Sequence, residues 1–383
     1  MIKAGLYIHI PFCAVKCMYC DFYSIADRDN EIPDFIGAIV KEIEMYEVDS
    51  EELIFDTIFI GGGTPSIIKP KYIEEILNSL NQKFNLSKVE EFTLEANPGE
   101  APKDRLKDFL SLGFNRLSIG VQSLQPELLK FLTRIHSANQ VFETFDHARS
   151  VGFKNINCDL IYSIPGQTWD MWEKDLRRII DLEPNHISAY TLTVENGTQL
   201  SELVRKNKIK MPSDDKTGDW FLNTHSILKE NGYPAYEISN FSRLGMECKH
   251  NLHYWRIEPY LAFGPSAHGF DGNKRWNNVK SLNSYIQKVN SGKQPISKSE
   301  ILSKLESINE ALGFGLRMVE GFDIRLIPDN LSRSFEEKYL TAIIKFPGLI
   351  SKKGFIISLT IDGMLLSDQI IPELILVEKN VLD

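Results

Sequence analysis

The chain has 383 residues, 43% of them hydrophobic and 25% charged, which is enough apolar mass for a sizeable core in two or three domains. A formal net charge of −9 argues against a broad electrostatic footprint for nucleic acid and leaves room only for a local basic site. No apolar run approaches the ~18 residues of a membrane span, and the apolar N-terminal stretch carries His9 and Pro11 with no cleavage site, so the expectation is a cytoplasmic chain without a membrane span.

Taken in order, short β-branched and apolar runs at 5–10, 56–60, 91–95, 115–121, 155–160 and 186–190 predict buried parallel strands. Between them, apolar spacing predicts helices over 32–46, 70–84, 102–112, 139–151 and 168–182. Six β-then-α units in succession predict an α/β fold with a parallel sheet, open or rolled into a partial barrel. A polar segment at 211–218 breaks the rhythm before a helix at about 219–230, and 239–270 reads as irregular. A helix at about 303–319 and a hairpin follow, the hairpin with strands 354–361 and 364–367 and its turn at Asp362-Gly363. The division falls at about residue 240, giving domains 1–240 and 241–383.

Five cysteines, three of them within eight positions, fit a reduced compartment and a metal site better than a disulfide framework. Cys13, Cys17 and Cys20 stand as C-x3-C-x2-C directly after the first strand. A loop there can aim three thiolates at one centre. A four-iron cubane with three cysteine ligands keeps one iron open, and an open iron can chelate the amino and carboxylate groups of S-adenosylmethionine (SAM). A zinc site of three cysteines with His9 is the rival, although the pleat fixes the direction of a strand residue such as His9. Gly61-Gly62-Gly63-Thr64-Pro65 after the second strand lets the backbone approach a ligand. Polar residues recur at later strand ends: Glu95 with Asn97, Gln122 with Ser123, Asp159, and Tyr190 with Thr191. In a β/α barrel that rim carries the chemistry.

The cysteine spacing and the glycine run together resemble the radical SAM superfamily. The wider string Leu6-Tyr7-Ile8-His9-Ile10-Pro11-Phe12-Cys13 resembles its oxygen-independent coproporphyrinogen III dehydrogenase group, HemN, and the related haem chaperones, HemW, over nearly the whole chain. The resemblance implies a partial six-unit (β/α) barrel of the TIM type with a smaller α+β C-terminal domain. It implies a [4Fe–4S] cluster on Cys13, Cys17 and Cys20. It places SAM contacts at Tyr7, Gly62, Gly63, Thr64, Glu95, Gln122, Arg134 and Asp159, with Arg134 suited to a carboxylate.

Two features divide the branches of this group. The dehydrogenases carry a fourth cysteine two positions after the third, where this chain has Phe22. The chaperones carry His-Asn-x-x-Tyr-Trp, which stands here as His250-Asn251-Leu252-His253-Tyr254-Trp255. An imidazole can ligate haem iron and aromatic rings can pack on a porphyrin, so the resemblance makes His250 the candidate haem ligand. Cys248 and His253 are alternatives nearby, His268 is a weaker one, and the absence of C-x-x-C-H excludes standard c-type attachment. The expected function is a haem chaperone that passes haem to an acceptor protein, with an electron donor serving the cluster; a homodimer is compatible with the sequence. The competing readings are radical decarboxylation of porphyrinogen propionates and radical SAM chemistry on another substrate.

Overall fold

The computed structural model describes residues 2–47 and 53–377. Six strands run parallel in chain order: β1 (Ile2–Ile10), β2 (Leu53–Gly62), β3 (Glu91–Ala96), β4 (Arg116–Gln122), β5 (Asn155–Tyr162) and β6 (His186–Thr191). Each is joined to the next through helix, as parallel strands require. On β1 the even-numbered Ala4, Leu6, Ile8 and Ile10 are fully buried in the core that the outer helices cover. The odd-numbered Gly5, Tyr7 and His9 therefore face inward, by the two-residue period of a strand. The fold is the expected α/β partial barrel.

The expected strands are all present; five are longer than expected by a residue or more, and the one expected at 115–121 is shifted by one residue to Arg116–Gln122. The helices Ile32–Met45, Pro70–Lys83, Lys103–Ser111, Ala138–Val151 and Trp169–Ile180 occupy the predicted intervals. Three expectations fail for local reasons. The helix expected at about 219 begins at Asp214, because Ser213 caps it and Asp214 and Asp215 suit its first turn; the polar run marks a helix start and not a loop. The segment 239–270 is ordered into β7 (Asn240–Ser242), the helix Lys249–Trp255, β8 (Tyr260–Phe263) and β9 (His268–Phe270). The hairpin lies earlier than expected. After β10 (Lys274–Asn278), β11 (Ile296–Ile301) and β12 (Phe322–Asp323), it is built from β13 (Ile350–Lys353) and β14 (Ile356–Leu359), with Gly354 at φ +61° in the two-residue turn. Asp362 and Gly363 sit instead in the short helix Ile361–Leu365, where the Thr360 hydroxyl caps the Gly363 N–H at 3.1 Å.

One sheet of eleven strands runs β11-β10-β9-β8-β1-β2-β3-β4-β5-β6-β7, so the strands of the second half extend both edges of the six. β8 pairs parallel to β1 and β7 antiparallel to β6. The junction at β8 is tied by Glu42, a fully buried carboxyl that accepts from the Gly264 N–H, Asn278 Nδ2 and the Tyr285 hydroxyl. Among the described residues no helix is long and apolar enough to cross a membrane.

Candidate cofactor site at the barrel mouth

The C-terminal ends of β1 to β6 form a mouth, and the cysteine loop hangs over it. The loop is pinned at its base by Cys13 N–H to Ile25 O at 2.9 Å and Ile25 N–H to Pro11 O at 2.7 Å. All five cysteines are free thiols, and Cys13, Cys17 and Cys20 are half-buried, whereas Cys158 and Cys248 are enclosed. Burial pushes the Cys13 thiol up and the Cys20 thiol up to about 11, so ligation there releases protons. Behind the loop lies the glycine turn. Gly63 N–H donates to Ile10 O and Thr64 N–H to Phe12 O, both at 2.7 Å. A Cβ at position 63 would lie 2.6 Å from Phe12 O and 3.0 Å from Cys13 Sγ, so only glycine lets the two turns close on each other.

Side chains from successive strand ends converge behind this loop. Glu95 accepts the Gly62 N–H at 2.9 Å, and burial, with the Asp159 charge beside it, raises Glu95 to about 7. Thr64 Oγ1 donates to Cys13 Sγ at 3.5 Å. Arg134 donates through Nη1 to Cys17 Sγ at 3.5 Å and through Nη2 to Asn97 Oδ1 at 2.5 Å and Gly120 O at 2.8 Å. Asp159 lies deeper, accepting from Ser118 Oγ at 2.9 Å and Asn157 Nδ2 at 2.8 Å. Gln122 is held in the left-handed region at φ +64°, at the point where the β4–β5 register slips. Such strain in a non-glycine residue persists only where the surroundings impose it. The three residues that follow are pinned by the fully buried Asp175 side chain, which accepts from Ser123 Oγ, Leu124 N–H and Gln125 Nε2 at 2.6, 2.9 and 2.6 Å.

The donor set fits a thiolate-held cluster better than zinc. Among the described residues no three His, Cys, Asp or Glu side chains converge as ligands of one ion. His9 is also spoken for: Nδ1 meets the Tyr7 hydroxyl at 3.0 Å and Nε2 meets Tyr23 O at 2.8 Å. Three half-exposed sulfurs without a fourth protein ligand match a cubane that keeps one iron free.

At the opposite end, the helix Lys249–Trp255 lies across the N-terminal halves of the strands. Glu91 at the start of β3 caps it, accepting the Lys249 and His250 N–H groups at 3.0 Å each. His250 is fully buried. Its Nδ1 meets Thr57 Oγ1 and its Nε2 the Tyr254 hydroxyl, both at 2.8 Å, and the ring stacks on Phe59 and Tyr7 with centroids 5.2 and 6.3 Å apart. Burial lowers its pKa well below the usual imidazole range and keeps it neutral. His253 is buried between two carboxylates, with Nδ1 to Glu258 Oε2 at 2.6 Å and Nε2 to Asp56 Oδ1 at 2.7 Å. Burial opposes charging this ring, but those hydrogen bonds outweigh it and bring its pKa up to about 9.

The sequence profile of the Radical SAM superfamily matches residues 7–179, which hold the cysteine loop and the C-terminal ends of β1 to β5. The heme chaperone HemW of Lactococcus lactis is 35% identical over 333 residues, covering 87% of this chain and 86% of that protein. The heme chaperone HemW of Bacillus subtilis is 33% identical over 367 residues, covering 95% and 97%. The chain belongs to the HemW family of radical SAM proteins. In fold it is similar to the solved structure of coproporphyrinogen III oxidase (HemN) from Escherichia coli, with a TM-score of 0.83 at 24% identity, covering 98% of this chain and 90% of that one.

In this HemW-family chain, Tyr7, Gly62, Gly63, Thr64, Glu95, Gln122, Arg134 and Asp159 all lie at or just inside the mouth that carries the three cysteines. His250 does not join them there; it lies beneath Tyr7 with no face open to solvent. Asn97 and Asp175 have roles at the mouth that residue spacing leaves invisible. Asn97 was legible only as a polar residue after a strand, and Asp175 sits on an outer helix with nothing in its local sequence to mark it.

Proposed function

We propose that this chain is a haem chaperone: it binds haem and passes it to an acceptor protein, and it carries at its barrel mouth a [4Fe–4S] cluster on Cys13, Cys17 and Cys20 with SAM alongside. The observation that carries this reading is likeness to heme chaperones along most of the chain, joined to three free, half-buried thiols on the face where β/α barrels hold their chemistry. When bound, the cluster and SAM supply one-electron chemistry that no side chain offers. The protein's part is binding and orientation. Glu95 and Asp159 supply carboxyl oxygens that can accept from an amino group and face a sulfonium. The Arg134 guanidinium suits the carboxylate. Tyr7, Gln122 and the Gly62-Gly63-Thr64 turn close the remaining sides. An electron donor serves the cluster, and five free thiols fit a reducing compartment, the cytoplasm.

His250 is the proposed haem ligand, and its environment sets the condition for that role. A neutral imidazole ligates through one nitrogen while the other keeps its hydrogen bond, but both are engaged here, so either Tyr254 must release Nε2 or Thr57 must release Nδ1, and the helix Lys249–Trp255 must move aside. The test is a haemin titration of the anaerobically reconstituted chain beside its His250→Ala variant, followed by the Soret band. Saturation at about one haem per chain, weakened at least tenfold in the variant, is the expected outcome. Tight binding unaffected by the substitution moves the ligand elsewhere. Absence of specific haem binding overturns the chaperone reading and makes porphyrinogen oxidation the next assay.

A further inference from the structure

Two of the three cysteine sulfurs are hydrogen-bonded by side chains that share a single partner. Thr64 Oγ1 donates to Cys13 Sγ and Arg134 Nη1 to Cys17 Sγ. Asn97 stands between those donors: its Nδ2 donates to Thr64 Oγ1 at 2.8 Å and its Oδ1 accepts from Arg134 Nη2 at 2.5 Å. The result is a continuous bridge, Cys13–Thr64–Asn97–Arg134–Cys17, drawn from the cysteine loop, the β2 turn, the β3 end and the segment after β4. Only a carboxamide completes it. The amide N–H occupies the Thr64 oxygen as a donor, so the hydroxyl proton stays free for Cys13. The amide oxygen fixes the guanidinium plane so that its other arm faces Cys17. A carboxylate would take the Thr64 proton away from the sulfur, and an apolar residue would hold neither donor. Two further contacts fix the amide itself: Nδ2 also donates to Glu100 Oε2 at 3.0 Å, and Gly120 leaves Oδ1 its space, since a Cβ there would lie 3.0 Å away. Among the described residues no side chain donates to Cys20 Sγ, so the bridge serves two ligands of three.

We propose that Asn97 is a positioning residue for the iron–sulfur cluster, aiming Thr64 and Arg134 at the Cys13 and Cys17 sulfurs and thereby setting the cluster's reduction potential. The inference rests on the cluster reading of the three cysteines. Hydrogen bonds to ligating sulfur stabilise the more electron-rich, reduced cluster and raise its potential, and outer partners of this kind also fix ligand orientation.

The test is a redox titration of the reconstituted cluster, followed by its paramagnetic reduced state, in wild type, Asn97→Leu, Thr64→Val and the double variant. Iron content and thermal melting are measured alongside. The expected result is a shift to more negative potential in Thr64→Val, a larger one in Asn97→Leu, and no further shift in the double variant, because Asn97→Leu already releases the Thr64 donor. An unchanged potential in Asn97→Leu with full iron content overturns the proposal, as do additive shifts. Should Asn97→Leu not fold, an unchanged potential in Thr64→Val overturns it equally. A wild-type chain that takes up no cluster at all fails the cluster reading itself, a result separable from both.

Discussion

The mouth and the floor of the barrel hold similar chemistry and treat it oppositely. At the mouth, Cys13, Cys17 and Cys20 are free and half-buried, and the groups around them come from β1 to β5 and the segments that follow these strands. At the floor, His250 and His253 are buried, and every one of their four ring nitrogens already has a protein partner within 2.8 Å. A coordinating side chain can bind something new only through a lone pair that the fold has left free. The mouth is therefore arranged for ligands and the floor for cohesion, as expected of the C-terminal and N-terminal faces of a β/α barrel. A histidine motif on the floor has to be opened before it can coordinate anything.

The largest effect expected from this contrast is at the mouth. Cys17→Ala removes one of three thiolates and leaves the floor untouched. Anaerobic reconstitution followed by iron and sulfide analysis is expected to show loss of the cluster, with a melting temperature equal to that of the cluster-free wild type. Retention of full iron would break the assignment of the mouth.

The floor is probed by pH. The His253 pKa is raised in the folded chain, so its imidazolium contributes stability that is complete below about 6.5 and is lost as pH rises through about 9. Its partner Asp56 shifts the other way: burial works against the carboxylate, but the His253 hydrogen bond holds it low. That contribution is present above the ordinary aspartate range and is lost in acid. Urea unfolding between pH 6.5 and 9.5 is expected to show a fall on the order of 3 kcal/mol, and His253→Gln should flatten the curve. A wild-type curve already flat over that range would mean that the ring is neutral and the floor is not an ion cluster.

A smaller effect sharpens the condition placed on His250. Tyr254→Phe deletes the hydroxyl that occupies Nε2. If that nitrogen binds haem iron, losing a competing hydrogen bond worth about 1 kcal/mol should tighten haem binding roughly fivefold. Weaker binding in this variant would assign Tyr254 to the haem site itself.

Much of this was legible in the sequence because it is local. Six β-branched runs alternating with amphipathic helices specify a parallel sheet whatever surrounds them. Cysteine spacing and the Gly61-Gly62-Gly63 run mark a loop and a turn that must lie on one rim, since each follows its strand. The hairpin was misplaced for an equally local reason. Asp-Gly is a turn signal only when no cap is at hand, and Thr360 recruits it into a helix. The start of the helix Asp214–Glu230 was missed because a capped, acidic first turn and a polar loop have the same composition.

By itself, then, the sequence determined the six βα units, the three thiols and their rim, because periodicity and strand order act over a few residues. Tertiary structure alone decided that β8 extends the barrel sheet beside β1, that Asn97 joins Thr64 to Arg134, that Asp175 pins the segment from Ser123 to Gln125, and that His250 is enclosed beneath Tyr7. Each of these joins residues between 33 and about 255 positions apart, and pairing over such distances is fixed by packing and hydrogen-bond satisfaction across the whole fold, which no local pattern encodes.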